Sequence, residues 1–347
     1  MAGAIDSRLL AILACPRCHA GLDANGQGLR CAAGHEYPVA DGVPVFLLPE
    51  TEQTIGVASA SYRAGQNGAG GPLYVETLGL TDRERALVER DFDGGGRSVD
   101  PVIAYLVGAT SGLGYAKLIG NLSYYPIPRI PLEPGRGRLL LDIGCNWGRW
   151  SVSAARNGWR VVGLDPSLGA LMAARRAFGD EHEAMFVCGD ARFLPFKSAV
   201  FQQAFSYSVF QHFSEENAEL ALVEIGRVLW LGGHAKIQMA HRGGLRSAYV
   251  RRRRRHISGV FDVRYWSLLQ MRQVFDRTIG PSKIAAEAFG GLGLLKEDWR
   301  SVSARAKLLI LASECSKTLA CFFAPLTRLA DSVYVVSQKM DQPGETL

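Results

Sequence analysis

The sequence predicts an α/β protein with a parallel sheet, preceded by a small metal-binding module and a helical segment. Three observations predict this arrangement. Short apolar runs alternate with amphipathic helical patterns from residue 137 onward, a glycine-containing turn follows the first run, and three cysteines and a histidine with metal-ligand spacing lie within the first 35 positions. Of the 347 residues, 48% are hydrophobic and 21% are charged, which is typical of packed globular domains.

Charge and cysteine content restrict the functional classes. The net charge of +6 permits an anionic partner without requiring one. The sequence has no uninterrupted apolar run long enough for a transmembrane helix, and the charged Asp6 and Arg8 near the start argue against a secretory signal. Seven cysteines, three of them near the N-terminus, indicate metal binding in a reducing compartment. We therefore expect a cytoplasmic protein.

Composition divides the chain into four parts. They are a metal module at residues 1–50, a glycine-rich and partly flexible linker at 51–98, a helical cap segment at 99–135, and an α/β domain at 136–340 whose insert at 241–332 determines the substrate.

The α/β pattern predicts six strands. They are residues 139–143, 161–164, 184–187, 204–207, 234–239 and 332–337. Between the fourth and fifth strands, Ser214 caps a predicted helix that has an apolar stripe through Leu220, Val223 and Val228 and ends at the glycine pair 232–233.

The N-terminal module contains four predicted zinc ligands: Cys15, Cys18, Cys31 and His35. Two close pairs of this kind suit a tetrahedral ion, and four protein ligands leave no open position for catalysis. A module of this size buries too little core to fold alone, so the metal supplies stability.

The turn after the first strand predicts a ligand site. Asp142, Gly144, Asn146 and Gly148 stand in the order acid-x-Gly-x-Asn-x-Gly at a strand-to-helix turn, where bare backbone and a helix N-terminus can approach a ligand. A dinucleotide fingerprint requires glycines where Asn146 and Arg149 stand, so that match fails. The pattern favours a smaller ligand whose cationic group meets Asp142 or its surroundings.

Two further acids follow the next two strands. Asp165 is positioned to accept both hydroxyls of a ribose, and Asp190 to accept a hydrogen bond from an adenine amino group. In the alternative interpretation, both aspartates only cap the helices that follow them.

Residues 137–240 resemble the class I S-adenosylmethionine-dependent methyltransferases through LLLDIGCNWG, VVGLDPS, CGDARFLPF and FSYSVFQHF. This resemblance implies a Rossmann-like sheet of seven strands with the last strand antiparallel, and S-adenosylmethionine as cofactor. It also implies that Gly144 and Gly148 hold the methionine part, Asp165 the ribose and Asp190 the adenine. Asn146 replaces the usual central glycine, and asparagine tolerates left-handed backbone angles.

The segments LLAILACPRCHAGL and HEYPVADGVPVFLL resemble the zinc-ribbon family that activates tRNA and translation-factor methyltransferases. They are also similar to the ribbon fused to bacterial rRNA guanine methyltransferases. Either resemblance implies folding support, docking or substrate recognition as the role of the ribbon.

The sequence is less specific about the residues that bind or activate the methyl acceptor. His212 and His241 follow the fourth and fifth strands and are the candidate catalytic bases, although His212 can instead cap a helix or pack. Tyr207 and Ser208 lie closer to the sheet edge, and we assign Ser208 to cofactor binding.

Five consecutive arginines run from Arg251 to Arg255. They form either a solvated charged helix or a contact with RNA phosphates, a lipid diphosphate or an acidic membrane. The apolar segment 306–326 includes Lys307, Glu314 and Lys317, so it is too polar to span a bilayer. It either packs under the cap or makes peripheral contact at a membrane interface.

The sequence is compatible with three functions. The first is O- or N-methylation of a small-molecule, glycan or lipid-linked acceptor, favoured by the long cap and insert that can enclose it. The second is rRNA or tRNA methylation, favoured by the ribbon and the arginines. The third is a non-catalytic binding or activator module, which the intact set Asp142, Asp165 and Asp190 argues against.

Overall fold

The computed structural model describes residues 5–26, 28–67, 71, 73–94, 98–110, 115, 118–179, 184–253, 263–290 and 295–340. It divides into two compact units, residues 1–197 and 198–347. The domain boundaries proposed from composition at 50, 98 and 135 all fall inside the first unit and stay predictions.

The first unit begins with the metal module. Its elements are α1 (Ser7–Ile12), β1 (Leu22–Asn25), β2 (Gly28–Cys31), β3 (Glu36–Ala40) and β4 (Val43–Pro44). The four strands pair antiparallel in sequence order. Helix α1 begins at Asp6, whose side chain accepts the backbone N–H of Arg8.

The rest of the first unit is helical and then alternates strand and helix. Its elements are α2 (Gly56–Asn67), α3 (Asp82–Asp93), α4 (Pro101–Thr110), β5 (Leu139–Ile143), α5 (Arg149–Arg156), β6 (Arg160–Asp165), α6 (Leu168–Phe178) and β7 (Ala184–Cys188). Strand β6 pairs in parallel with β5 and with β7. Every residue of β5 is buried, as expected for a strand covered on both faces.

Residues 51–98, which composition predicts to be a partly flexible linker, contain α2 and α3 in the part that the structure describes, and their role as a linker stays a prediction. A capping box formed by Thr81 and Glu84 starts α3. On α2, the small residues Ala58, Ser61 and Ala64 are buried. The glycines of this segment favour a flexible chain. The buried small side chains nevertheless let α2 pack closely within its own unit.

The second unit contributes four more strands. Its elements are β8 (Phe201–Ser206), α7 (Glu215–Val228), β9 (Leu229–Ala240), α8 (Leu245–Arg253), α9 (Leu268–Thr278), β10 (Ser282–Ala288), α10 (Ala304–Phe322) and β11 (Ser332–Gln338). Strand β8 is parallel to β9, whereas β11 runs antiparallel between β9 and β10. In the residues that the structure describes, the sheet outside the ribbon has seven strands with the last one antiparallel, which confirms the predicted fold class.

Two expectations for the second unit are corrected. The helix after Ser214 ends at Val228, and Leu220 and Val223 are 43% and 49% exposed, because the buried face of α7 instead includes Ala218, Leu222 and Ile225. The region 241–332 is also not wholly an insert. It contains β10, which pairs along β11 as part of the sheet.

Candidate cofactor and zinc sites

The turn between β5 and α5 has the backbone that the sequence predicts. Gly144, Asn146 and Gly148 all have positive φ, at 71°, 48° and 82°. Asn146 therefore adopts the left-handed conformation expected of an asparagine in place of a glycine. At Gly148, the first residue before α5, an added Cβ would lie 3.2 Å from the Cβ of Ala174, so this position has both backbone and packing reasons to lack a side chain.

Asp165 lies against this turn. One carboxylate oxygen accepts the backbone N–H of Asn146 at 2.9 Å and the other accepts that of Ser167 at 2.9 Å. Burial raises the pKa of Asp165 to about 6. Each carboxylate oxygen has a second lone pair, so the group can accept two more donors such as a pair of vicinal hydroxyls.

Asp142 lies on β5 and is also buried. It accepts the hydroxyl of Ser151 at 2.6 Å. Burial, with the charge of Asp165 acting in the same direction, raises the pKa of Asp142 to about 7. Two buried carboxylates that disfavour each other's ionisation form an electrostatic environment that a cationic ligand stabilises. The site therefore fits a ligand that carries both hydroxyls and positive charge.

Asp190 has a partner that sequence reasoning missed. Its carboxylate is paired with the Arg192 guanidinium at 2.7 Å and also accepts the backbone N–H of Arg192 at 2.9 Å. Arg192 donates in addition to the carbonyl of Glu52 at 2.6 Å. A ligand donor at Asp190, such as the adenine amino group that the sequence predicts, would have to share this carboxylate with Arg192. The Asp-x-Arg spacing is the sequence pattern from which this pairing could have been predicted.

Residues of the supposed linker hold the start of α6, directly after Asp165. The N–H of Gly169 donates to the Thr77 hydroxyl at 2.7 Å, and the N–H of Leu168 donates to the Ser61 hydroxyl at 3.0 Å. Ser167 in turn donates to the carbonyl of Thr77 at 2.8 Å. Because the first N–H groups of a helix have no partner within it, these hydroxyls fix the turn on which Asp165 lies. No local sequence pattern indicates these contacts.

The four predicted zinc ligands come together. The ligand atoms of Cys15, Cys18, Cys31 and His35 all lie within 4.8 Å of one another. His35 Nδ1 is 3.4 Å from the sulfur of Cys15 and 3.4 Å from that of Cys31. Three thiols and one imidazole at these separations are a donor set suited to tetrahedral zinc.

A second layer of contacts supports this cluster. The Tyr37 hydroxyl lies 3.1 Å from the Cys15 sulfur, and its pKa is raised by burial, so it stays a donor. Burial opposes ionisation of Cys31, but hydrogen bonds from the backbone N–H groups of His35 and Ala33 and from the thiols of Cys18 and Cys15 together lower the Cys31 pKa to about 7. Thiolate formation, which zinc binding requires, is thereby favoured.

The ribbon is joined to the edge of the sheet at β7. Phe46 donates its N–H to the carbonyl of Cys188 at 2.7 Å, and Ala14 donates to the carbonyl of Pro195 at 3.0 Å. Val45 forms a parallel bridge with Cys188. The ribbon thus covers an otherwise open strand edge, immediately before the segment that carries Asp190.

The remaining predicted residues belong to the second unit. Ser208 has φ 61° and donates its N–H to the Gln238 side chain at 2.8 Å. His212 ends a 3₁₀ turn (Phe210–His212) and does not cap α7, because Ser214 does so by accepting the N–H of Asn217. His241 is buried, which lowers its pKa, and its Nδ1 lies 2.9 Å from the carbonyl oxygen of Ala330.

A buried carboxylate in the second unit was also missed. Tyr207, directly after β8, donates its hydroxyl to Glu287 at 3.1 Å, and Ser332 donates to the other carboxylate oxygen. Burial raises the pKa of Glu287. Only the pairing of β10 with β11 brings Glu287 beside Ser332, which local sequence does not reveal.

Comparison with known proteins agrees with this geometry. Residues 140–233 match the family described as "Methyltransferase domain", and residues 6–42 match "Trm112p-like protein". A UPF0434 protein of Burkholderia mallei is 46% identical over 54 residues, which cover 15% of this chain and 79% of that protein.

Two further similarities are weaker, one because it covers a small part of the relative and the other because the identity is low. The biotin biosynthesis bifunctional protein BioHC of Cellvibrio japonicus is 35% identical over 116 residues, 33% of this chain but only 22% of that protein. The solved complex between the Haloferax volcanii Trm112 methyltransferase activator and a putative methyltransferase is 22% identical, with a TM-score of 0.42. It covers 62% of this chain and 86% of that one. In the part of the chain that the structure describes, no helix is long and apolar enough to cross a membrane.

Proposed function

We propose that this chain, which belongs to the Rossmann-like methyltransferases and carries a Trm112p-like zinc ribbon at its N-terminus, methylates a small-molecule, glycan or lipid-linked acceptor. The cofactors are S-adenosylmethionine and zinc. The observation that carries the proposal is the buried Asp165 carboxylate, which is oriented by the backbone of Asn146 on one side and of Ser167 on the other.

Cofactor binding is assigned to residues of the glycine turn, the strand ends and the turn after β8. They are Asp142, Gly144, Asn146, Gly148, Asp165, Asp190 and Ser208. The sulfonium of S-adenosylmethionine makes its methyl carbon electrophilic, so catalysis requires alignment with the acceptor. Asp165 accepts the ribose hydroxyls and Asp142 contributes negative charge near the cationic part.

The zinc ligands Cys15, Cys18, Cys31 and His35 have a structural role. The metal holds the ribbon in the shape that places Phe46 on the edge of β7. We also propose a reducing, cytoplasmic location, because zinc binding requires these thiols to stay unoxidised.

On the acceptor side, we place His212 ahead of His241 as the proton acceptor. His241 is only 4% exposed and lies within hydrogen-bond distance of a backbone carbonyl, which is typical of a packed histidine. His212 is half-buried on a short turn after β8. Its imidazole would take the proton that an oxygen or nitrogen acceptor loses as the new bond to carbon forms.

RNA methylation is the second candidate. Exposed arginines at the end of α8 and the Trm112p-like ribbon favour it. A basic surface neutralises phosphates, so RNA binding would weaken steeply with salt.

The test is methyl transfer from labelled S-adenosylmethionine by the full-length, zinc-loaded protein. Glycans, a lipid extract and total RNA are offered separately, with Asp165→Ala as the inactive control. Label in the glycan or lipid fraction supports the proposal, and label only in RNA selects the second candidate. Label in no fraction, together with no cofactor binding, would leave the activator module as the better account.

A further inference from the structure

Helix α10 (Ala304–Phe322) has its apolar side outward. Leu308, Leu311, Leu319 and Phe322 are 67%, 49%, 59% and 86% exposed. At about 100° per residue these positions share one face and extend over about 21 Å. A helix on the surface of a globular domain normally presents its polar face to water and buries such a stripe.

The polar side of α10 faces the protein. The Ser313 hydroxyl accepts the backbone N–H of Phe289 at 3.0 Å, and half-buried Lys317 donates to Glu314 at 2.8 Å. Ile310 and Ala320 are buried on the same side. Because these contacts fix the rotation of the helix, α10 cannot turn its leucines inward. The apolar stripe is therefore part of the surface.

The apolar surface continues beyond the helix. Phe323 is 58% exposed and Leu329 is 41% exposed, at the two ends of the 3₁₀ segment that follows α10 (Ala324–Leu329). Exposed apolar side chains that recur along one helix and the segment after it mark a contact surface rather than scattered exposure.

A basic helix is held beside this segment. Ser247 on α8 donates its N–H to the Asp331 carboxylate at 2.6 Å, two residues after Leu329. Helix α8 has the sequence LRSAYVRRR, without an acidic residue, and Arg251, Arg252 and Arg253 are exposed. Leu245 and Tyr249 on the same helix are 65% and 55% exposed. Arg254 and Arg255 follow in the sequence but lie outside the described residues.

The charge of α8 and the apolar stripe of α10 together indicate what binds this surface. A second copy of this chain would bring two basic patches together, and RNA would pair with the arginines but leave the leucine stripe exposed. An anionic bilayer accommodates both the leucine stripe and the arginines, because its interface takes up apolar side chains and its headgroups attract arginine. We propose that α10 lies in the plane of an anionic phospholipid membrane, with the arginines of α8 on the headgroups.

The test is co-sedimentation of the full-length, zinc-loaded protein with vesicles of phosphatidylcholine alone or mixed with phosphatidylglycerol. We expect pelleting with the anionic vesicles and little with the neutral ones. Changing Leu308, Leu311 and Leu319 together to serine is expected to weaken binding about tenfold or more. Changing Arg251, Arg252 and Arg253 together to alanine is expected to weaken it about a hundredfold at low salt.

The matched control carries Leu220→Ser and Val223→Ser, two similarly exposed apolar residues on α7. It should bind vesicles like the unaltered protein. All variants replace exposed side chains, and unchanged thermal unfolding verifies that each is folded. Absence of pelleting with anionic vesicles would overturn the proposal, as would equal loss in the α7 control. A dimer that the leucine changes dissociate, or RNA binding without vesicle binding, would overturn it in favour of those partners. None of these measurements requires an active methyltransferase.

Discussion

The glycine-turn site of the first unit and helix α10 of the second unit differ in which side chains they bury. In the first unit, acids and hydroxyls are buried and paired around a ligand-sized turn, as Asp165 is with Asn146 and Ser167. In the second unit, α10 directs Ser313 toward the protein and buries only Ile310 and Ala320, whereas it exposes its leucines. Buried, oriented polar groups are typical of a small-molecule site, whereas a fixed apolar surface is typical of a contact with a larger partner. The difference is the basis for proposing a cofactor site at the glycine turn and a docking surface on α10.

Removal of zinc is expected to have the largest effect on the first unit. Structural zinc contributes about 10–16 kcal/mol in small zinc modules, comparable with the whole stability of a domain. Chelation, or Cys15→Ser, should therefore unfold the ribbon and expose the β7 edge that Phe46 covers. Thermal unfolding and zinc analysis measure this, with exposed Cys315→Ser as the control. A ribbon that keeps its stability without metal would contradict the structural role.

The sequence predicted the parts of the first unit that depend on local spacing. The zinc ligands and the glycine turn with Asp165 are short patterns, and each functions within a few residues of its own strand or turn. Ser61 and Thr77 were missed because their partners, Leu168 and Gly169, lie 107 and 92 residues away. No local pattern carries such information.

In the second unit, tertiary contacts override local preference. The β10 sequence SKIAAEA is rich in residues that favour helix, yet it forms a strand because β11 pairs along it. Glu287 enters its buried cluster only through that pairing. On α7 an apparent apolar stripe through Leu220 proved to be exposed. Periodicity finds a helix more reliably than it finds the buried face.

The hydroxyl of Thr77 gives a sharper test of how the first unit positions its site. Thr77→Val leaves the Gly169 N–H buried without its partner, at a cost of about 2 kcal/mol in the free energy of unfolding. Denaturant unfolding measures the loss. Thr77→Ser keeps the oxygen and should restore most of the stability. If Thr77→Val were no more destabilising than Thr77→Ser, the hydrogen bond between the Thr77 hydroxyl and the Gly169 N–H would not contribute to stability.

Cofactor binding should depend on pH through the buried acids. The pKa of Asp165 is raised to about 6, and that of Asp142 to about 7, in the ligand-free protein. A cationic ligand binds the ionised carboxylates, so affinity is full above these values and is lost as the pH falls through them. We expect binding at pH 5 to be at least about tenfold weaker than at pH 8 from the protonation of Asp165 alone, and weaker still from that of Asp142, with proton release on binding near pH 6. Calorimetry in buffers of different ionisation enthalpy measures both, and affinity unchanged over this range would contradict the assignment.

The smallest effect is expected in the second unit. Tyr207→Phe removes one donor to Glu287 but leaves Ser332, so the loss should be about 1 kcal/mol of stability. Exposed Tyr249→Phe is the matched control and should be neutral. If Tyr207→Phe were as neutral as the control, the Tyr207–Glu287 contact would not contribute to the fold.

The most direct test of the central claim is calorimetric binding of S-adenosylmethionine and its demethylated product to the zinc-loaded protein. The account predicts micromolar binding that Asp165→Ala weakens at least about a hundredfold, since two charge-assisted hydrogen bonds are lost. Asp82→Ala removes a fully exposed carboxylate on α3 and should leave the affinity unchanged. Binding that survives Asp165→Ala, or absence of binding at millimolar ligand, would contradict the account.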